Sequence, residues 1–211
     1  MSWIRSTKKS ASAADHASAS EILACFRDQR DLFLQLALLI TGNGATAEQS
    51  VANACEMVIR GHTPLRSHLT EWAKWVTVKA AISESRAAIR SCEPAYKDLH
   101  CSHGEHLLQG NAAEGESRRS FLFWIDPTII TAELDPLARS VLILRTVLKA
   151  SILDCTLRLD LSSSTVLAAN CRAMTWLRDA QLRGLPAGES APSTQTSSAF
   201  ARSHEDSCRS S

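Results

Sequence analysis

The chain has 211 residues and a formal net charge of +1, a length that suits one or two small domains. No stretch of 18 or more apolar residues exists, because Arg139, Arg145 and Lys149 interrupt the longest candidate, which argues against a membrane span. Eight glycines and six prolines are few for this length, alternation with period two is nearly absent and helix punctuation recurs, so the fold class is all-α.

In chain order, Met1 to Ser20 is Ser- and Ala-rich without periodicity and reads as a disordered tail; despite Lys8 and Lys9 it lacks the apolar core of a signal peptide, so the expected compartment is cytoplasmic. Asp31 to Ile59 reads as two amphipathic helices joined by Gly42-Asn43-Gly44. Phe33, Leu36, Leu39 and Ile40 line the first, and Val51, Ala54, Cys55 and Val58 the second, with Thr46 and Gln49 as a capping box at its start. Thr63-Pro64 reads as an N-cap and first-turn proline of one long helix. Leu65, Leu69, Trp72, Ala73, Val76 and Ala80 share a face of that helix, while Arg66, Lys74, Lys79, Arg86 and Arg90 decorate the rest. Trp72 falls on the apolar stripe and reads as core; Trp75 lies off its centre.

Residues 93–131 form an acidic linker, with three Lys and Arg against six Asp and Glu. Cys92 lies just before it and His100, Cys101, His103 and His106 within it, residue types that zinc prefers but at spacings unlike those of familiar zinc sites, so a polar loop is favoured over a metal site. Cys25, Cys55, Cys155 and Cys171 fall in helical patterns, act as small apolar residues, and should be reduced in a cytoplasmic chain.

From Asp135-Pro136, an N-cap with proline at the first helical position, Leu137, Val141, Leu144 and Leu148 make an apolar stripe. Ser151 with Asp154 marks a second helix start and Ser162 a third, separated only by Leu159-Asp160-Leu161. A connection that short is the geometry of a helix-turn-helix. Residues 184–211 read as a second disordered tail. No phosphate-binding glycine loop, GxSxG or HExxH occurs, so the expectation is no enzyme and no cofactor.

The segment Leu134 to Leu177 resembles region 4 of bacterial RNA polymerase sigma factors of the extracytoplasmic-function (ECF) type. The resemblance rests on Leu134, Pro136, Arg139, Val141, Leu142, Leu144, Arg145, Ser151, Leu159, Ser162, Thr165, Val166, Arg172, Ala173 and Leu177. The segment Asp31 to Ile59 is similar to region 2 of the same family, around "LLITG" and "AEQSVANACEMVI". The resemblance implies a tail (1–20), a region 2-like domain (21–92), an acidic linker (93–131), a region 4-like helix-turn-helix domain (132–183) and a second tail (184–211). It implies a transcription initiation factor whose partners are core RNA polymerase, promoter DNA and an anti-sigma factor, with no membrane insertion. Glu48, Gln49, Asn53 and Glu56 would meet polymerase, with Gln49 and Asn53 where carboxylates are usual. Trp75, Lys79, Arg86 and Arg90 would contact the promoter's melted element, the indole by stacking and the cations by phosphate contacts. Ser164, Thr165, Ala168 and Arg172, opposite Val166, Ala173 and Leu177, would enter the groove. Leu167 and Ala169 stand where the family carries cations, which predicts weak promoter binding. The alternative is a divergent sigma-like protein that has lost polymerase or DNA binding and serves as a helix-turn-helix regulator or a protein-interaction module.

Overall fold

The computed structural model describes residues 15–61, 64–97, 99 and 125–183. These form nine α-helices and two short 3-10 turns and no strand; a single isolated bridge pairs His16 with Leu65. No helix among the described residues is long and apolar enough to cross a membrane.

The first helix, α1 (Ala19–Asp28), begins earlier than expected: Ser18 and Glu21 form a complete capping box, and Ala17 is buried. Residues 15–20 therefore belong to the fold rather than to a tail. Helix α2 (Arg30–Thr41) ends at Gly42, whose φ of 69° is the left-handed C-cap conformation glycine adopts without penalty. Helix α3 (Gly44–Arg60) starts at Asn43, not Thr46. The Asn43 Oδ1 accepts from the Thr46 amide at 3.0 Å, and asparagine is a stronger N-cap than threonine.

The long helix expected after Pro64 is divided. The Pro64 carbonyl accepts from the Ala17 amide at 2.9 Å, Leu65 is extended, and a 3-10 turn (Arg66–His68) precedes α4 (Leu69–Glu84). Thr63 lies outside the described residues. Ser85 caps α4 with its amide on the Ala81 carbonyl, and α5 (Arg86–Cys92) continues at a break. A 3-10 turn, Glu93–Tyr96, follows and buries Tyr96.

Helix α6 (Pro127–Glu133) lies partly inside the expected linker and starts at Asp126, whose side chain accepts from the Thr128 amide. Helix α7 (Pro136–Thr146) starts where the sequence places it, with the Asp135 carboxylate accepting from the Leu137 and Ala138 amides. It is buried on every side from Leu137 to Leu144, which makes it a central helix rather than a one-faced one. Helix α8 (Ile152–Leu159) carries the expected capping box of Ser151 and Asp154; Asp160 takes the left-handed turn at φ 57°; and α9 (Ser163–Leu182) starts at Ser162.

The apolar residues form two clusters. The smaller gathers Ile22, Phe26, Phe33, Ala54, Val58 and Ala73, with Phe26 and Phe33 rings 4.9 Å apart. The larger joins Leu36, Ile40, Val78 and Ile82 to Val141, Leu144, Val166 and Leu177. The stripes of the two halves of the chain thus share one core, instead of burying themselves separately. Trp72, expected in the interior, is half-buried against the smaller cluster.

Arg139 fastens this junction. Its guanidinium is buried and donates to the carbonyls of Thr131 and Leu134 at 3.0 Å and of Ile40 at 3.4 Å. Burial pushes its pKa down, opposed by the charge of Asp135. A Cβ added at Gly42 would stand 2.9 Å from this guanidinium, so α2 and α7 meet where no side chain intervenes.

Candidate functional site: two helical surfaces and the cleft between them

The outward face of α3 carries all four candidate polymerase-docking residues. Ala47, Ser50, Ala54 and Val58 point inward, which by helical periodicity turns Glu48, Gln49, Asn53 and Glu56 outward. Glu48 pairs with Arg30 at 3.3 Å and Glu56 with Arg60 at 3.4 Å, both exposed. Such pairs stabilise a fold by about 0.2–1 kcal/mol, so a partner could displace them. Gln49 donates to Asn53 Oδ1 at 2.8 Å, and Asn53 donates to Glu84 Oε1 at 3.0 Å. The groove between α3 and α4, about 510 Å³, is lined by Asn53, Glu56, Met57, Arg60, Lys79 and Glu84 among others. Its two carboxylates face two cations, so its charge is mixed and not acidic.

On the next surface, Trp75, Lys79 and Arg86 come together at one cleft of about 160 Å³, completed by Val78, Ile82, Ser83, Leu144 and Arg158. One face of the Trp75 indole is covered by the Arg158 guanidinium, 3.9 Å from the ring centroid. Arg90 is not in this group: it pairs with Asp160 at 2.5 Å. Two of the four candidate contacts on α4 and α5 are thus engaged by the α8–turn segment.

The recognition-helix candidates divide differently. Ser164 and Arg172 are exposed, but Thr165 and Ala168 are buried at 2% and 4% exposure, which corrects their assignment to a groove-facing surface. The assignment assumed that α9 buries one face. A second wall exists: Trp176 donates to Glu133 at 2.6 Å, Arg172 pairs with Asp135 at 3.4 Å, and the Tyr96 hydroxyl donates to the same Asp135 carboxylate. Thr165 also turns back to the cap, with its hydroxyl 2.8 Å from Ser162 Oγ. Burial and the Asp135 carboxylate push the Tyr96 hydroxyl's pKa well up, which keeps it a donor. Ala169 is buried as well. The least buried face of α9 runs through exposed Ser164, Thr175 and Arg178 with half-buried Leu167 and Cys171 between them, a stripe at helical spacing.

Residues that the sequence reading did not single out now matter. Arg158 joins α8 to α4, beside the link that the turn residue Asp160 makes to α5. Leu153 and Leu157, one turn apart on α8, are 64% and 72% exposed. The signal for the leucines was present: they fall outside the stripe of Cys155 and Leu159, which are buried. No comparable signal marks Arg158, whose partner lies far away in sequence.

Of the Cys and His cluster, only Cys92 is described; His100, Cys101, His103 and His106 lie outside the described residues. Among the described residues no group of three or more His, Cys, Asp or Glu is placed to hold a metal ion. Cys25, Cys55, Cys92 and Cys155 are free thiols, whereas Cys171 is disulfide-bonded, against the expectation of reduced cysteines. Burial raises the Cys155 thiol to about 11, so it stays protonated and inert. These features define an all-helical chain with a helix-turn-helix pair and a cation-lined cleft beside it. Comparison with protein-family models, with curated proteins and with solved structures finds no match.

Proposed function

We propose that the chain is a DNA-binding transcription initiation factor of the ECF sigma type, which would direct core RNA polymerase to promoters from the cytoplasm. The observation that carries the reading is the α8–turn–α9 unit: two capped helices joined through a single left-handed residue, Asp160. The same unit carries the family resemblance. In this reading α3 meets polymerase through Glu48, Gln49, Asn53 and Glu56. The exposed stripe of α9, with Ser164 and Arg178, and Arg172 beside it, meets the duplex. Trp75, Lys79, Arg86 and Arg90 meet the opened strand after Arg158 and Asp160 release their partners.

The test is co-purification with core RNA polymerase at low salt. Wild-type chain should be retained, and Glu48→Lys with Glu56→Lys should not, at unchanged helicity. A second reading, a protein-interaction module without DNA binding, is favoured by two observations: the exposed Leu153 and Leu157 on the first helix of the pair, and the burial of Thr165, Ala168 and Ala169 on the second. Failure of the wild-type chain to bind polymerase, together with no DNA affinity, would select it.

A further inference from the structure

We propose that the cleft between α4, α5, α7 and α8 is a binding site for a small phosphate-class oxyanion. Three cations, Lys79, Arg86 and Arg158, line it together with Ser83, and no carboxylate does. Of the carboxylates nearby in sequence, Glu84 accepts from Asn53, Asp160 pairs with Arg90, and Asp154, which lies within reach of the Arg158 charge, accepts from the Ser151 amide and hydroxyl. Lys79 and Arg86 have no ion pair among the described residues. The floor is apolar, with Val78, Ile82 and Leu144 all buried.

The physics of such a cleft favours an anion. Walls of one charge sign over a low-dielectric floor focus the field, and the mutual repulsion of the three cations is relieved when a multivalent anion sits among them. Guanidinium groups present paired N–H donors that match the oxygen spacing of a phosphate, and Lys supplies a further point charge. The Trp75 ring holds the Arg158 guanidinium at 3.9 Å, which orders one donor before any ligand arrives. The volume of about 160 Å³ equals roughly five water volumes at about 30 Å³ each. That admits a phosphate group with a few waters. Lys79 also borders the α3–α4 groove, so it forms the wall between the two surfaces.

This inference does not rest on the sigma reading, because Arg158 and Leu144 have no DNA role there. Lys79 and Arg86 would serve both, so a backbone phosphate of single-stranded DNA is the other source of the same chemistry. The full chain is titrated with inorganic phosphate at constant ionic strength, with chloride as the control and a short single-stranded oligonucleotide as a parallel arm. Thermal unfolding and tryptophan emission are read. Phosphate should raise the unfolding midpoint and change the emission, saturably, and chloride should not. Trp75→Phe should remove the emission change and keep the midpoint shift. Lys79→Gln and Arg158→Gln should each weaken phosphate binding by about tenfold, the loss of one charge-assisted hydrogen bond, and Arg158→Lys should restore part of it. Loss of oligonucleotide binding with phosphate binding intact would sink the DNA reading alone. No phosphate effect beyond that of chloride, or an effect undiminished in both glutamine variants, would overturn the oxyanion site. An effect of the oligonucleotide without one of phosphate would overturn it too, and assign the cations to DNA.

Discussion

Arg90 and Asp160 stand 2.5 Å apart, the last turn of α5 against the left-handed residue between α8 and α9. The pair explains what a carboxylate gains at this turn position. The backbone at Asp160 sits at φ 57°, a conformation that costs an L-residue about 1–2 kcal/mol, less for aspartate than for most. An exposed ion pair returns about 0.2–1 kcal/mol of that.

Lys149 is the other described non-glycine residue at positive φ, at 53°, and it has no ion pair among the described residues. Lys149→Gly should therefore stabilise the fold by about 1 kcal/mol, and Asp160→Gly by less, since Arg90 loses its partner. Chemical denaturation of the two variants and of Arg90→Gln with Asp160→Gly checks the difference. Equal gains from both glycine variants would show that the ion pair contributes nothing.

The shared core makes a prediction about cooperativity. Leu36 of α2 and Leu144 of α7 are both fully buried in one cluster. Each Leu→Ala change should cost about 2–5 kcal/mol and lower a single unfolding transition, seen alike by circular dichroism and tryptophan emission. Two transitions, each moved by only one of the variants, would mean that the halves fold independently.

Arg139 should be among the least replaceable side chains. Arg139→Met fills much of the volume but leaves the Thr131, Leu134 and Ile40 carbonyls without donors, at about 1–3 kcal/mol for each one that water cannot reach. Gly42→Ala should be destabilising by about 1–2 kcal/mol from its backbone alone, and its Cβ also crowds the same guanidinium. Thermal unfolding of both variants is the measurement. A neutral Gly42→Ala would show that the α2–α7 junction can open by an ångström without loss.

How far these features could be read from the sequence depends on the range of the interaction. The caps are local, and Asp135, Ser151 and Ser162 stand where their spacing places them. Two others obeyed the same rules and went unread: Ser18 with Glu21 is a capping box, and Asp126-Pro127 repeats the Asp135-Pro136 signature at the start of α6. The break at Ser85 carries no glycine or proline to announce it. The burial of Ala168 could not be read locally, because it joins a cluster that also holds Leu36, Tyr96 and Val141, residues distant in sequence. The same holds for the cleft, which needs Arg158 beside Trp75.

Acid should loosen the start of α1. Glu21 is held at about 2, well below its ordinary 4.5, chiefly by the Ser18 amide it accepts from, then by Arg66 and by the Ser18 hydroxyl. A lowered carboxylate contributes stability that is present above the ordinary value and is lost as pH falls from about 4.5 through about 2. The contribution at this exposed site is small, so the readout must be local. The protection of the Glu21 and Ile22 amides relative to their intrinsic exchange rates should fall across that window in the wild type, and Glu21→Gln should flatten the response. An unchanged profile in Glu21→Gln would place the acid sensitivity elsewhere.

The exposed stripe of α9 makes the sharpest test of DNA binding. Leu167 lies on that stripe and Ala169 does not, so the two positions where the sequence departs from its resemblance should behave oppositely. Leu167→Lys adds a cation without disturbing the core, and one further phosphate contact steepens the dependence of log affinity on log salt by about 0.9. Ala169→Lys instead forces an ammonium into a fully buried site and should unfold the helix-turn-helix, at a cost of several kcal/mol. Arg178→Ala should lower the salt slope by about the same 0.9, while Arg172→Ala also removes the cation paired with Asp135 and should affect stability as well. A salt titration of duplex binding separates these effects. If Leu167→Lys and Arg178→Ala both leave the slope unchanged while the proteins remain folded, the outer face of α9 does not meet DNA, and the exposed leucines of α8 become the surface to pursue.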